Sequence, residues 1–142
     1  MAYLFKQKLT LGELVDISLP IHRILLHEPE EYLAGLYRHH LTKHNFQVEH
    51  CPSVNLLNAH ILNFKPTLLV FSVDESDNVK TSANWLLHIK KQNPEIFIIT
   101  TGLNTNSEIL KTLLNVGVSS HINRRLSRPQ DLVILAQTIL KN

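Results

Sequence analysis

Leu68-Leu69-Val70-Phe71-Ser72 is the stretch whose reading decides the fold. An unbroken apolar run, with no polar residue until its end, reads as a strand covered on both faces, the habit of parallel sheets. In open α/β sheets such a strand delivers its C-terminal residue into the ligand crevice. Ser72 holds that place, so its chemistry sets what the crevice can do.

Working upstream, Pro66 punctuates the chain just before the run. Ser53 is placed to cap a helix whose apolar positions include Val54, Leu57 and Ile61. Phe46 to His50 alternates with a period of two, as a strand does. Glu30 to His44 has helical spacing, with Leu33, Leu36, Tyr37, His40 and Leu41 on one side, and ends near Asn45, a residue that tolerates a left-handed cap. Arg23 to His27 is a short apolar strand.

Downstream, the polar stretch Asp74 to Ser82 leads into a helix around Trp85, Leu86 and Ile89, and Pro94 closes it before a strand from Ile96 to Thr100. Ser107 and Glu108 open a fourth helix through Val116, with Gly117 in its C-terminal turn. Ser120 to Asn123 is a fifth strand. Pro129, suited to a first helical turn, starts a last helix that runs to about Leu140.

A strand followed by a helix five times over predicts a parallel sheet with helices on both faces. Right-handed crossovers make this a doubly wound, flavodoxin-like α/β fold with strand order 2-1-3-4-5. Residues 23–142 form that domain. Residues 1–22 are an N-terminal extension outside the pattern, in which Thr10-Leu11-Gly12-Glu13 has capping-box spacing and predicts a short helix. The extension either covers the sheet or grips a second copy or a partner. The chain ends straight after the last helix, so no output domain is expected.

Composition narrows the function classes. The 142 residues are 44% hydrophobic and 18% charged with a net charge of +2, ordinary values for a soluble domain. The one dense basic spot, Arg124-Arg125 with Arg128, is too small to make nucleic acid the main partner. Cys51 is the single cysteine and excludes an intrachain disulfide. No apolar stretch reaches the roughly 20 residues that span a bilayer, and the N-terminus lacks a signal-peptide pattern, so the expected compartment is the cytoplasm.

From about His22 to Leu140 the chain resembles the receiver domains of bacterial response regulators. The pieces that carry the resemblance are Ile24-Leu25-Leu26 with Glu28, Pro66-Thr67 with the run to Ser72, Pro94 through Thr101-Gly102, and Val116-Gly117-Val118 through Ile122-Asn123-Arg124. The resemblance implies a phospho-acceptor aspartate at Ser72 and an Mg²⁺-holding acidic pair at Glu28 and Pro29, or at Glu28 and Glu30 after a one-residue shift. It further implies a hydroxyl residue retained as Thr101, a lysine replaced by Arg124, the proline after it replaced by Arg125, and an aromatic switch residue replaced by His121.

These departures change the chemistry. Mg²⁺ takes an octahedral shell of hard oxygens with one or two carboxylates, and the expected set is reduced to Glu28 or Glu30. A serine hydroxyl is a weak nucleophile without an adjacent base. The expectation is a pseudo-receiver that is not an enzyme and needs no cofactor and no metal. Arg124, paired with Glu28 or Glu30, then fixes the loops without phosphate. It acts by protein binding as a regulatory module in bacterial signalling.

The alternatives are an atypical phospho-switch, with Asp74 as a displaced acceptor, and a small-anion site at Ser72, Thr101 and Arg124. A Ser72–His27 nucleophile and base is a further alternative, although no Gly-x-Ser-x-Gly elbow surrounds the serine.

His40 and His44 lie one helical turn apart, but no further ligand completes a metal site. The resembled family uses the face of its fourth helix, fifth strand and fifth helix for docking. Ile109, Leu113, Val133 and Ile134 are the candidate interface there, for a homodimer or an unidentified protein partner.

Overall fold

Each apolar run forms the strand predicted for it. β1 (Arg23–His27), α1 (Glu31–Lys43), β2 (Gln47–His50), α2 (Leu57–Phe64), β3 (Leu68–Ser72), α3 (Val79–Gln92), β4 (Phe97–Gly102), α4 (Ser107–Asn115), β5 (Ser120–Asn123) and α5 (Pro129–Ile139) follow in order, with a 3₁₀ turn at Val54–Leu56 ahead of α2. The computed structural model describes residues 21–73, 79–103 and 106–141. The expected N-terminal helix and Asp74 lie outside those residues.

The strands are all parallel in the order β2-β1-β3-β4-β5, the doubly wound order. Period-two alternation divides their side chains between two helix layers. Ile24, Leu26, Leu68, Val70, Ile99 and Ile122 pack with Tyr37 and Leu41 of α1 and Leu132, Val133 and Ala136 of α5. Leu25, Leu69, Phe71 and Ile98 pack on the opposite face with Leu57 and Ile61 of α2, Leu86 and Ile89 of α3 and Leu113 of α4.

Local chemistry sets the helix ends. Glu30 accepts from the Leu33 N–H at 3.0 Å and caps α1, and Asn106 accepts from Ile109 N–H at 2.9 Å and caps α4. Pro129 opens α5, where Asp131 accepts from the Arg128 N–H at 2.8 Å. Asn45, at φ 71°, adopts the left-handed conformation after α1.

Of the boundaries that differ from the sequence reading, two bear on the site. α3 begins at Val79, so Val79–Ser82 is helical rather than loop, and Ser82 and Ala83 are buried. The polar residues Lys80, Thr81 and Ser82 hide that turn from a hydropathy pattern. β4 extends through Thr101 and Gly102, because Thr101 pairs with both Ser72 and Ile122 and Gly102 pairs with Asn123.

The candidate interface needs a larger correction. Leu113 is 1% exposed and Val133 is 3% exposed, and both belong to the core. Ile109 is half-buried against the same core as Leu113. Only Ile134, 56% exposed, faces outward from the four, and it is joined by Leu114, 69% exposed, and by Leu110. Both helices turn their Ile109–Leu113 and Leu132–Val133–Ala136 stripes inward, which leaves the positions between them outside.

Candidate functional site

β1 and β3 are neighbours in the sheet but not successive in the chain, so the crevice beyond their C-terminal ends is the switch point where open α/β sheets bind ligands. Glu28 follows β1 directly and is buried. Its Oε2 accepts from the Glu30 N–H at 2.9 Å, clasping the turn over the exposed Pro29. Arg124 follows β5 and reaches back across the sheet. Its Nη1 donates to Ser72 Oγ at 2.9 Å and lies 3.5 Å from Glu28 Oε1.

This geometry brings Glu28, Ser72 and Arg124 together and separates them from Glu30, whose carboxylate is used in capping α1. Thr101 sits beside Ser72 in the ladder, and its buried Oγ1 has no hydrogen-bond partner among the described residues. His121 is in register with Thr100 instead, and its Nδ1 shares a 2.7 Å hydrogen bond with Thr100 Oγ1. Alternation sends Thr100 and Thr101 to opposite faces, so the hydroxyl that His121 contacts is not the one beside Ser72.

Two histidines anchor the crevice, and of these the sequence reading gave a site role only to His27, as a base for Ser72 rather than as an anchor. His27 is buried, with its Nδ1–H donated to the Cys51 carbonyl at 3.0 Å and its ring 4.7 Å from that of Phe71. Burial holds its pKa below 6.5, against smaller upward influences from the Cys51 carbonyl and Glu28, so the ring is neutral near pH 7. His50 Nε2 donates to the Glu28 carbonyl at 2.8 Å. The signal was available: both histidines end strands that the pattern predicted, and strand ends line this crevice.

The Ser72–His27 pair does not form. His27 is in register with Phe71, while Ser72 Oγ is engaged by Arg124. His40 and His44 do not form a metal site either: His44 Nδ1 donates to the His40 carbonyl at 2.9 Å. No group of three His, Cys, Asp or Glu side chains able to hold a metal ion occurs among the described residues.

The crevice also fits Mg²⁺ poorly. A divalent cation beside Glu28 would meet the Arg124 guanidinium, and Ser72 supplies a neutral oxygen already accepting from it. Among the described residues, Glu28, Arg124, Ser72 and Thr101 form a cluster in which the carboxylate and the guanidinium offset each other, a set that holds loops and recognises polar groups.

No family model matches the chain, and no curated protein matches it. Solved structures do. A response regulator from Thermotoga maritima superposes with a TM-score of 0.78 at 14% identity, covering 87% of this chain and 100% of that one. HP1043, an orphan response regulator of H. pylori, gives 0.74 at 19% identity over 86% of this chain and 100% of its own. An atypical orphan response regulator protein described with a phosphorylation-independent regulatory mechanism gives 0.73 at 19% identity, covering 84% of this chain and 95% of that one. At these identities the likeness establishes a receiver-type fold. No helix among the described residues is long and apolar enough to cross a membrane.

Proposed function

We propose that this chain is a signalling module that works without phosphorylation, with its crevice held in one state by its own side chains and its output delivered by protein binding. One observation carries the reading. Arg124 donates to Ser72 at 2.9 Å and stands 3.5 Å from the buried Glu28, in the place where the resembled family would set an acceptor carboxylate and a metal. A cation supplied by the chain itself neutralises Glu28 and links the ends of β1, β3 and β5. Neither phosphate nor Mg²⁺ is needed to complete the set.

Two further features support it. Among the described residues the hydrogen-bond partner of Ser72 Oγ is Arg124, a cation and not a base, which leaves the hydroxyl unactivated for attack on a phosphoryl donor. The reading is supported by the similar fold of an atypical orphan response regulator described with a phosphorylation-independent regulatory mechanism. Protein binding draws on Leu110, Leu114 and Ile134, large apolar side chains left exposed on α4 and α5.

Amide NMR spectra recorded with Mg²⁺, then with Mg²⁺ and beryllofluoride, test the proposal. The expected result is no saturable shift at Ser72, Thr101 or Arg124, and no phosphate gained in intact mass after incubation with acetyl phosphate. A saturable response centred on Ser72 would instead make the chain an atypical phospho-switch.

A further inference from the structure

The crevice continues past Arg124 into a cleft of about 510 Å³. His27 at the end of β1, Phe71 and Val73 at the end of β3, Val54 ahead of α2 and Trp85 of α3 line it. Its volume falls inside the roughly 300–1,000 Å³ typical of small-molecule sites, and it opens at the switch point of the sheet. A crevice that only locks loops needs no such space.

The lining specifies what fits. Trp85, Phe71, Val73 and Val54 offer aromatic and branched surface, which suits a flat apolar body. Polar groups converge where Arg124 and Ser72 meet. Arg124 spends Nη1 on Ser72 and Glu28, and its planar fork carries further N–H donors. Ser72 accepts from Arg124, so its own hydroxyl hydrogen is directed to another acceptor. Two donors side by side match a carboxylate. Glu28, 3.5 Å from the same guanidinium, offsets its charge, and Glu30 also lines the cleft, so the described residues disfavour a dianion such as phosphate over a monoanion.

We propose that this cleft binds a small planar aromatic monocarboxylate, its carboxylate held by Arg124 and Ser72 and its ring packed among Val54, Phe71 and Trp85. The proposal goes beyond the phosphorylation-independent reading, which holds whether the cleft is empty or filled.

Trp85 is the only tryptophan, so its indole N–H gives a single resolved reporter at the cleft wall. The full chain is titrated with 2-naphthoate, with the neutral 2-naphthamide and with inorganic phosphate. The expected result is a saturable Trp85 shift with naphthoate, at least about tenfold weaker with naphthamide, the share of one charge-assisted contact. Arg124→Gln should remove that preference, and Val54→Phe, which fills the cleft away from the Glu28–Arg124 pair, should abolish binding of both ligands.

Absence of a saturable shift overturns the proposal. So does equal affinity for acid and amide, or naphthoate binding undiminished by Val54→Phe. Phosphate giving the same Trp85 shift at the same affinity overturns the aromatic assignment. If Arg124→Gln does not fold, the acid–amide comparison and Val54→Phe still decide the matter.

Discussion

Arg124 is the residue on which the crevice depends. Its partner Glu28 is buried, so removing the guanidinium leaves a carboxylate that, among the described residues, has the Glu30 N–H alone to satisfy it. Arg124 is itself partly open to water, at 18% side-chain exposure, so the loss is smaller than for a sealed ion pair. Arg124→Met should lower stability by about 1–3 kcal/mol, and Glu28→Gln in that background should recover part of it. A double-mutant cycle by urea denaturation checks this: a coupling near zero would show that the pair holds nothing in place.

His27 makes a second prediction at the same scale. Burial depresses its folded pKa below 6.5, with His50 adding a small push downward and Glu28 and the Cys51 carbonyl opposing. As pH falls below 6.5 the unfolded chain takes up this proton before the folded chain does. The contribution to unfolding is therefore absent above that value and destabilises the fold progressively below it. His27→Asn, whose side-chain amide stands where Nδ1–H does, should make stability less dependent on pH between about 7.5 and about 5.5. Parallel pH profiles for the two proteins would contradict it.

At the scale of elements, the sequence and the structure agree where burial is two-sided and part company where a face is mixed. β3 was legible because every position from Leu68 to Ser72 is buried. The start of α3 was not, since Val79–Ser82 carries mostly polar side chains and only tertiary packing buries Ser82. The apolar pattern carried β4 only to Thr100, whereas ladder pairing carries the strand to Gly102. The site shows the same division. Ser72 and Arg124 could be placed from the order of elements, but the choice of Glu28 over Glu30 rests on a cap: Glu30 is committed to the Leu33 N–H. The anchoring roles of His27 and His50 escaped notice because they are hydrogen bonds to the Cys51 and Glu28 carbonyls, which no residue spacing announces.

For the whole molecule, the arrangement of layers says where a protein partner would meet it. Among the described residues β5 is an edge strand of four residues, with α4 packed on one face of the sheet and α5 on the other. Leu114 and Ile134 are the exposed apolar side chains those two helices carry most openly. A short edge strand flanked by apolar residues from both layers is a surface that a second protein or a second copy can cover. A stable dimer requires about 800 Å² per partner, more than two side chains supply, so the contact must spread over both helices. Sedimentation velocity over rising concentration should therefore show self-association that Leu114→Glu and Ile134→Asp each weaken. The two positions sit on different helices, so each substitution should act alone. A chain that stays monomeric throughout, or a dimer indifferent to both changes, would refute this surface as the homodimer contact.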